Sequence, residues 1–382
     1  MTANEQNATP DLVIVGAGIF GLTIAQQAVE KLGVNVTIID IRDHIGGNAY
    51  SYMDPETGAE IHKYGAHLFH TSNSRVWEYV NRFTKFTDYV HRVYATHDGE
   101  VFPLPINLGT INQFFRANYT PAQAKALIDE QAGELAGTDP ANLNDQGISL
   151  IGRPLYEAFI KNYTAKQWQT DPSELPASII KRLPVRLTYD NNYFNDRWQG
   201  IPMGGYTAMV ERMFGDVEIL LSTEYREFRE QNPGIADRTI YCGPIDEYFD
   251  FKLGTLEYRS LRFESETVEC ENWQGNAVVN YTEREVPWTR IIEHKHFESQ
   301  SSPVSVITRE YPADWKPGDE PYYPINDERN SALYAQYEEL AKQEGDVVFA
   351  GRLGGYKYYD MDKAIDAAFD LVNAELGVDL RA

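Results

Sequence analysis

The stretch Asp11-Leu-Val-Ile-Val15-Gly16-Ala-Gly18-Ile-Phe-Gly21 decides the fold of this chain. Its apolar run predicts a short buried strand, its glycines predict a turn, and the residues up to about Leu32 predict a helix. In a GxGxxG turn between strand and helix, Gly16 allows the tight turn, Gly18 lets a pyrophosphate approach the backbone, and Gly21 lets helix and strand pack closely. The stretch therefore predicts a Rossmann-type βαβ unit that binds a dinucleotide.

The residues after this unit favour FAD over NAD as the dinucleotide. Val36 to Asp40 predicts a second strand, and the Asp40 carboxylate, nineteen residues after Gly21, can accept hydrogen bonds from a ribose. A second glycine pair follows in Ile45-Gly46-Gly47-Asn48, and Ile201-Pro-Met-Gly204-Gly205-Tyr206 stands before a predicted helix. Both segments resemble those of the FAD-dependent amine oxidase and mutase superfamily, which implies that backbone at the glycine pair lies against the dinucleotide.

Composition and charge exclude several classes of protein. The 382 residues carry a formal net charge of −23, which repels nucleic acid and anionic membranes. No apolar run approaches the roughly 20 residues that cross a bilayer, and the polar start MTANEQNATP lacks a signal-peptide pattern. The two cysteines, Cys242 and Cys270, form no CxxC pair, which fits a reducing compartment and argues against a cysteine-bound metal. We therefore expect a cytoplasmic protein without membrane insertion.

The rest of the chain predicts two insertions into the dinucleotide-binding domain. Helix-period segments run from about Asn107 to Arg182, and short alternating runs between Glu247 and Ile307 predict antiparallel sheet. We predict an α/β protein with a discontinuous Rossmann-like FAD-binding domain, an inserted helical domain and an inserted antiparallel β-sheet domain. The predicted boundaries are 1–88, 208–246 and 342–382 for the FAD-binding domain, 104–182 for the helical domain, and 89–103, 183–207 and 247–341 for the sheet domain.

Five further segments resemble the UDP-galactopyranose mutase family more than any amine oxidase. They span nearly the whole chain in the family's order. The segments are His62-Lys-Tyr-Gly-Ala-His67-Leu-Phe-His70-Thr, Phe159-Ile-Lys-Asn-Tyr163-Thr164-Ala-Lys-Gln-Trp168, Asn192-Tyr193-Phe-Asn-Asp-Arg-Trp-Gln-Gly200, Pro287-Trp-Thr-Arg290-Ile-Ile-Glu-His-Lys-His296 and Gly351-Arg352-Leu-Gly-Gly-Tyr-Lys-Tyr358-Tyr-Asp360-Met361.

The resemblance implies an activity and its cofactor. Members of the family interconvert UDP-galactopyranose and UDP-galactofuranose without net redox change, yet only with reduced FAD. In the implied mechanism flavin N5 attacks the anomeric carbon, UDP leaves, and a flavin–galactose iminium lets the sugar ring open and reclose through a different hydroxyl. The resemblance also implies a homodimer and a role in supplying galactofuranose for cell-envelope galactan.

The resemblance assigns residues to three roles. The catalytic residues are Arg182 and Arg290, which match arginines on the UDP diphosphate, and His70; segment 179–186 matches a mobile lid. The substrate-binding residues are Phe159, Tyr163, Thr164, Trp168, Tyr193, Asn280, Tyr323, Tyr358 and His91. The cofactor-binding residues are Gly16, Gly18, Phe20, Gly21, Asp40, Gly47, Asn48, His67, Leu68, Glu224, Tyr225, Arg352, Tyr359, Asp360, Met361, Asp362, Lys363 and Ala364.

Several of these assignments carry expectations about local geometry. Phe159 and Tyr163, four residues apart, should share a helix face beside uracil, although core packing is nearly as good an interpretation for Phe159. His67 beside the flavin could sense its charge, since imidazole titrates near neutral pH, or it could cap a turn. His91 stands where many bacterial members carry an asparagine that contacts galactose. The helix from Met361 should aim its positive end at the reduced flavin.

The same residues bear on a possible metal site and on two other functions. His62, His67 and His70 lack the spacing of a tetrahedral metal site, so no metal is predicted. A flavin oxidoreductase of the amine-oxidase type is the alternative enzyme, and it predicts an apolar tunnel without paired arginines. A flavin-containing binding protein without catalysis is the other alternative, and loss of Arg290 or of the His70 segment would have indicated it.

Overall fold

The computed structural model describes residues 10–135, 137–180 and 183–376. Its strands are β1 (Leu12–Val15), β2 (Val36–Ile39), β3 (Ser51–Met53), β4 (Glu60–His62), β5 (Phe69–Thr71), β6 (Val93–His97), β7 (Glu100–Leu104), β8 (Trp198–Gly200), β9 (Glu218–Leu220), β10 (Arg238–Tyr241), β11 (Tyr258–Val268), β12 (Val278–Tyr281), β13 (Arg290–Glu293), β14 (Ser305–Asp314), β15 (Tyr323–Pro324) and β16 (Val347–Phe349). Its helices are α1 (Ile19–Leu32), α2 (Ser74–Val80), α3 (Leu108–Phe114), α4 (Pro121–Ala132), α5 (Leu143–Ile151), α6 (Arg153–Tyr156), α7 (Asn162–Trp168), α8 (Gly205–Phe214), α9 (Tyr225–Gln231), α10 (Ile245–Tyr248), α11 (Glu328–Ala341), α12 (Gly351–Gly354) and α13 (Met361–Leu376).

A parallel sheet carries the dinucleotide-binding unit. Its five strands lie in the order β16-β10-β1-β2-β9, with every neighbouring pair parallel. Helix α1 packs against α8 and α13 over this sheet, and its buried Leu22 and Ile24 join Ile14, Ile38 and Phe369 in one apolar core. The predicted Rossmann-like unit is confirmed, with β1 and α1 at the predicted positions.

A second sheet has seven strands in the order β15-β11-β14-β13-β12-β6-β7. Its pairs are antiparallel, as predicted, except that β12 and β6 run parallel. Alternating apolar residues predict a strand but not its partner, and no hairpin joins β6 to β12 to force them antiparallel. The sheet is therefore mixed at one pair rather than wholly antiparallel.

Helices α3 to α7 form a helical layer beside β6 and β7. Their buried residues, including Ile111, Leu143, Ile148 and Leu155, pack against Phe102 of β7 in a core of their own. At the start of α4, Thr120 accepts a hydrogen bond from the Gln123 N–H while the Gln123 side chain returns to the Thr120 N–H, which is a capping box. In the described part of the chain no helix is long and apolar enough to cross a bilayer.

Candidate functional site

A cavity of about 1150 Å³ lies between the parallel sheet, the seven-stranded sheet and helix α7. Sites for a single small molecule usually occupy about 300–1,000 Å³. Glycine turns of the parallel sheet line one end of this cavity, while arginine and tyrosine side chains line the other. The cavity therefore has room for a dinucleotide and a second ligand.

Two glycine turns face each other at the dinucleotide end. Gly16 has φ +116° and Gly47 has φ +58°, conformations that favour glycine. A Cβ atom on Gly47 would lie 3.0 Å from the Gly18 Cα, so a side chain there would fill the space between the turns. The Asp40 carboxylate accepts hydrogen bonds from the Ala17 N–H at 2.6 Å and the Arg42 N–H at 2.9 Å. This cradle of exposed backbone fits the pyrophosphate and ribose of FAD.

Arg42 lines this end of the cavity and was missed in the sequence analysis. Its guanidinium donates to the Asn48 side chain at 2.7 Å, pairs with Glu320 and lies over the Tyr64 ring. Burial lowers the pKa of Arg42, but Glu320, Tyr64 and Asp40 together outweigh burial and raise it. The sequence feature that could have indicated Arg42 is its position between the strand that ends at Asp40 and the second glycine pair.

Most of the predicted cofactor contacts meet in this cavity. Those that line it are Gly16, Gly18, Phe20, Gly21, Asp40, Gly47, Asn48, His67, Leu68, Glu224, Tyr225, Arg352, Tyr359, Asp360, Met361 and Ala364. Two lie outside its lining. Asp362 is buried and accepts a hydrogen bond from the Thr71 hydroxyl at 2.9 Å, and Lys363 is exposed beside Asp362. Asp362 therefore holds the start of α13 against β5, while Met361 places that helix end at the cavity wall.

His67 forms a hydrogen bond within its own turn. Its Nδ1 lies 3.0 Å from the Gly65 carbonyl oxygen, to which it donates, which fits the expectation that His67 caps a turn. Burial lowers the pKa of His67 to about 4. A role of His67 as a sensor of flavin charge stays a prediction.

Three arginines lie around Tyr323; Arg290 and Arg352 line the cavity with it, whereas Arg259 is not part of the lining. Arg290 of β13 lies with its Nε 3.2 Å from Glu310, and its Nη2 donates to the Tyr163 hydroxyl at 3.0 Å. Burial opposes the charge of Arg290, but Glu310 and nearby tyrosines outweigh it and raise the pKa of Arg290. Burial lowers the pKa values of the other two, Arg259 and Arg352.

Arg259, on β11, was also missed in the sequence analysis. Its guanidinium carbon lies 4.2 Å from the centre of the Trp168 ring and 5.1 Å from that of Tyr323. Its Nε is buried without a hydrogen-bond partner among the described residues. Among the described residues, Glu310 is the carboxylate that forms an ion pair with one of these arginines, Arg290. Three cations with one carboxylate form a site for an anion such as a diphosphate.

The predicted substrate residues separate into two groups. Tyr163, Tyr193, Asn280, Tyr323, Tyr358 and His91 line the cavity, as do the predicted catalytic residues Arg290 and His70. Phe159, Thr164 and Trp168 are not part of its lining. Arg182 lies outside the described residues. Asn280 Oδ1 is buried without a partner among the described residues, which leaves it available to a ligand.

A π-helical segment explains why Phe159 and Tyr163 do not share a face. Residues Glu157–Lys161 form this segment immediately before α7, and its wider turn shifts the phase of the residues that follow. Phe159 is 2% exposed and packs on Phe102 and Phe114 in the helical core. The expected common face rested on α-helical spacing, which does not hold here.

His70 is held on two sides at the cavity wall. Its Nδ1 lies 2.7 Å from Asp196 Oδ2, and Asp196 Oδ1 accepts a hydrogen bond from the Ser72 hydroxyl at 2.7 Å. Phe194 stacks on the imidazole with ring centres 3.7 Å apart, and the Phe194 ring also lies 5.5 Å from that of His91. Asp196 and Phe194 lie within a segment quoted above, yet neither was singled out.

Lys166 joins helix α7 to the loop between β12 and β13. Its Nζ donates to the carbonyl oxygens of Tyr281, Val286 and Trp288 at 2.6, 3.0 and 2.9 Å. Burial lowers the pKa of Lys166 to about 8. Because this loop leads into Arg290, Lys166 holds the strand of the arginine against the helix of Tyr163.

Among the described residues, no group of histidine, cysteine and carboxylate side chains is arranged to hold a metal ion. His62 and His67 are instead linked by a hydrogen bond from the His67 N–H to the His62 Nδ1 at 3.3 Å. The rings of His62 and His67 therefore form hydrogen bonds within the protein.

Comparison with known proteins identifies relatives over most of the chain. The sequence model of the family described as UDP-galactopyranose mutase matches residues 158–358, and that of the NAD(P)-binding Rossmann-like domain matches residues 14–83. A protein of Klebsiella pneumoniae named "Probable UDP-galactopyranose mutase" is 47% identical over 94% of this chain and 92% of its own length. The dTDP-fucopyranose mutase of Escherichia coli is 37% identical over 94% of this chain and 96% of its own length.

Solved structures agree with the sequence comparison at the level of the fold. A crystal structure of reduced UDP-galactopyranose mutase superposes with a TM-score of 0.74, covering 97% of this chain and 94% of the other, at 14% sequence identity. At that identity the likeness establishes a shared fold, with the Rossmann-like unit and both insertions.

Proposed function

The chain belongs to the UDP-galactopyranose mutase family, an isomerase family, and from that premise we propose that it interconverts UDP-galactopyranose and UDP-galactofuranose. The observation that carries the choice of substrate is the group of Arg290, Arg259 and Arg352 around Tyr323. An overall charge of −23 makes a local excess of cations informative, because it indicates where an anionic ligand binds.

The cradle of Gly16, Gly18 and Gly47, with Asp40 and Arg42 beside it, supports the proposal that the flavin binds there. Reduced FAD bound there would supply the nucleophile that attacks the anomeric carbon as UDP departs. The residues of the chain bind and orient the flavin, and they hold the sugar nucleotide next to it. The start of α13 at the cavity wall adds a positive end to this site.

The arginines and tyrosines act on the leaving group. Guanidinium groups of Arg290 and Arg259 would hold the diphosphate, and their charge would offset the negative charge that develops as UDP leaves. Tyr163 positions Arg290 through its hydroxyl. Arg182 is proposed as a further diphosphate contact because of the family resemblance alone.

The resemblance to the family also implies a compartment, an oligomeric state and a biological role, and we include these in the proposal. We infer a cytoplasmic homodimer that works with reduced FAD and supplies galactofuranose for cell-envelope galactan. We also propose the division into three domains, which the separate parallel sheet, helical layer and seven-stranded sheet support.

A comparison of two sugar nucleotides tests the proposed substrate, because the relatives include mutases for both. The reduced enzyme is assayed chromatographically with UDP-galactofuranose and with the dTDP-linked furanose of fucose. We expect kcat/KM to be higher for the UDP-galactose substrate, in line with the higher identity to that relative. A preference for the dTDP sugar would contradict the substrate while preserving the reaction class.

A further inference from the structure

Interconversion of a pyranose and a furanose moves one proton between two oxygens of the sugar. In the pyranose, O5 is the ring oxygen and O4 carries a proton; in the furanose, O4 is the ring oxygen and O5 carries the proton. The C1–O5 bond breaks, the C1–O4 bond forms, and nothing is oxidised or reduced overall. A single group that accepts the proton from O4 and returns one to O5 can therefore serve both directions.

The wall of the cavity holds one histidine whose proton is placed by a carboxylate. His70 Nδ1 lies 2.7 Å from Asp196 Oδ2, which requires the proton on Nδ1 because an ionised carboxylate only accepts. Burial opposes ionisation of Asp196, but hydrogen bonds from Ser72 and His70 outweigh it and lower the pKa of Asp196. The His70 Nε2 then carries a lone pair and has no hydrogen-bond partner among the described residues.

The fold holds this arrangement rigidly. His70 is in the middle of β5 and Gln199 lies opposite it on β8, the strand that follows Asp196. Ser72 fixes the second carboxylate oxygen at 2.7 Å and itself accepts the Arg197 N–H at 3.1 Å. Phe194 covers one face of the imidazole at 3.7 Å. The ring therefore has little freedom to rotate away from Asp196.

We propose that Asp196 is a positioning residue that holds His70 with Nδ1 protonated, so that Nε2 accepts and returns the proton that moves between the sugar oxygens. This inference rests on the proposed function. In the pyranose-to-furanose direction, Nε2 gives a proton to O5 as the C1–O5 bond breaks and then takes one from O4 as the C1–O4 bond forms, while Asp196 stabilises the imidazolium; the reverse reaction uses the same steps in the opposite order.

The neighbouring histidines are less suited than His70 to carry the proton between the sugar oxygens. His91 lies across Phe194, and burial lowers its pKa to about 3, so it stays neutral between pH 5 and 8. Burial holds the pKa of His67 at about 4. Lys363 at the start of α13 is the other charged group that acts on Asp196, and it lowers the pKa of that carboxyl. Within this group, His70 is the imidazole with a carboxylate partner.

Asp196→Asn in the holoenzyme tests the inference. An asparagine amide can donate to Nδ1 as well as accept from it, so the variant no longer fixes the proton on Nδ1. We therefore expect kcat to fall about 100-fold or more, with unchanged affinity for FAD and UDP. Asp366→Asn, at a half-buried carboxylate paired with Arg75, is the matched control and should keep kcat.

Which nitrogen of His70 carries the proton can be measured independently of turnover. In [15N]histidine-labelled wild-type holoenzyme, with His70→Gln to assign the signal, Nδ1 of His70 should carry the proton and Nε2 should be bare at pH 8. This measurement decides the matter even where Asp196→Asn does not fold. A proton on Nε2 of His70, or an unchanged kcat in Asp196→Asn, would overturn the inference. A wild-type enzyme without mutase activity would instead contradict the proposed function.

Discussion

The Nη2 atom of Arg290 lies 3.0 Å from the hydroxyl oxygen of Tyr163, although the two residues are 127 positions apart in the chain. The contact joins β13 of the seven-stranded sheet to α7 of the helical layer at the edge of the cavity. A diphosphate bound by Arg290 is therefore held by two parts of the fold at once, and movement of either part would alter the site.

Arg290→Ala should abolish turnover while FAD stays bound. The guanidinium offsets charge on the departing diphosphate, and removal of such a group costs about 100-fold to 1,000-fold in kcat. The proposed FAD cradle does not include Arg290, so the flavin absorbance of the purified variant should match that of the wild type. Turnover is measured with the reduced enzyme by chromatography.

Arg290→Lys is the matched variant for this prediction. It keeps the charge but loses the planar fork that holds phosphate and the donor to Tyr163. We expect activity between those of the alanine variant and the wild type. Near-normal turnover of the alanine variant would remove Arg290 from the catalytic machinery.

Lys166→Met should weaken binding of UDP without releasing FAD. The variant leaves three loop carbonyl groups without their donor, so the loop before Arg290 is no longer held against α7. We expect the Kd for UDP to rise about tenfold, as titration by calorimetry would show. Lys166→Arg, which retains donors, should restore part of the affinity; equal loss in both variants would point to a role other than donation to the loop.

The glycine cradle offers a pair of variants that separate folding from cofactor binding. A Cβ on Gly18 would meet only the Gly47 Cα at 3.8 Å, whereas a Cβ on Gly21 would lie 2.1 Å from the Gly16 carbonyl oxygen. Gly18→Ala should therefore fold with an unchanged apoprotein Tm yet bind FAD at least tenfold more weakly, because the methyl occupies the surface used by the pyrophosphate. Gly21→Ala should lower the Tm itself. Tight FAD binding by Gly18→Ala would contradict the proposed cradle.

Glu293 should make stability depend on pH in the acidic range. Burial opposes its ionisation, but hydrogen bonds from His296, Ser305, Trp273 and Gln274 outweigh burial and lower the pKa of Glu293 to about 2. A carboxyl with a lowered folded-state pKa contributes stability that is complete above about pH 4.5 and is lost as the pH falls towards about 2. Glu293→Gln should cost about 1–3 kcal/mol at pH 7, and its free energy of unfolding should fall less steeply below pH 4.5.

Denaturant unfolding of wild type and Glu293→Gln at pH 7, 4.5 and 3 provides this measurement. The difference between the two proteins should shrink as the pH falls. A constant difference across the series would mean that the charge of Glu293 contributes nothing to folding.

The sequence predicted the dinucleotide end of the site well because its signals are local. A strand, a glycine turn, a helix and an acidic strand end follow one another within thirty residues, and the backbone conformation that Gly16 and Gly47 adopt is encoded by residue type alone. The arginine end was predicted in part: Arg290 came from a family segment, while Arg259 on another strand has no distinctive neighbours in sequence. Only the strand order of the second sheet brings these two side chains together.

Three features required the three-dimensional structure for a physical reason. The π-helical turn at Glu157–Lys161 places Phe159 in the helical core, and residue spacing cannot indicate where a helix widens. The contact between His70 and Asp196 joins residues 126 positions apart, so neither residue type nor spacing announces it. Burial, which lowers the pKa of His67, is likewise a property of the folded chain.

Conversion of UDP-galactofuranose to UDP-galactopyranose by the purified flavoprotein, followed by chromatography with and without dithionite, tests the central claim most directly. The account predicts conversion only after the flavin is reduced, with no net consumption of reductant per turnover. Absence of conversion in both states, with FAD shown to be bound and reducible, would contradict the proposed mutase activity and favour a flavin oxidoreductase.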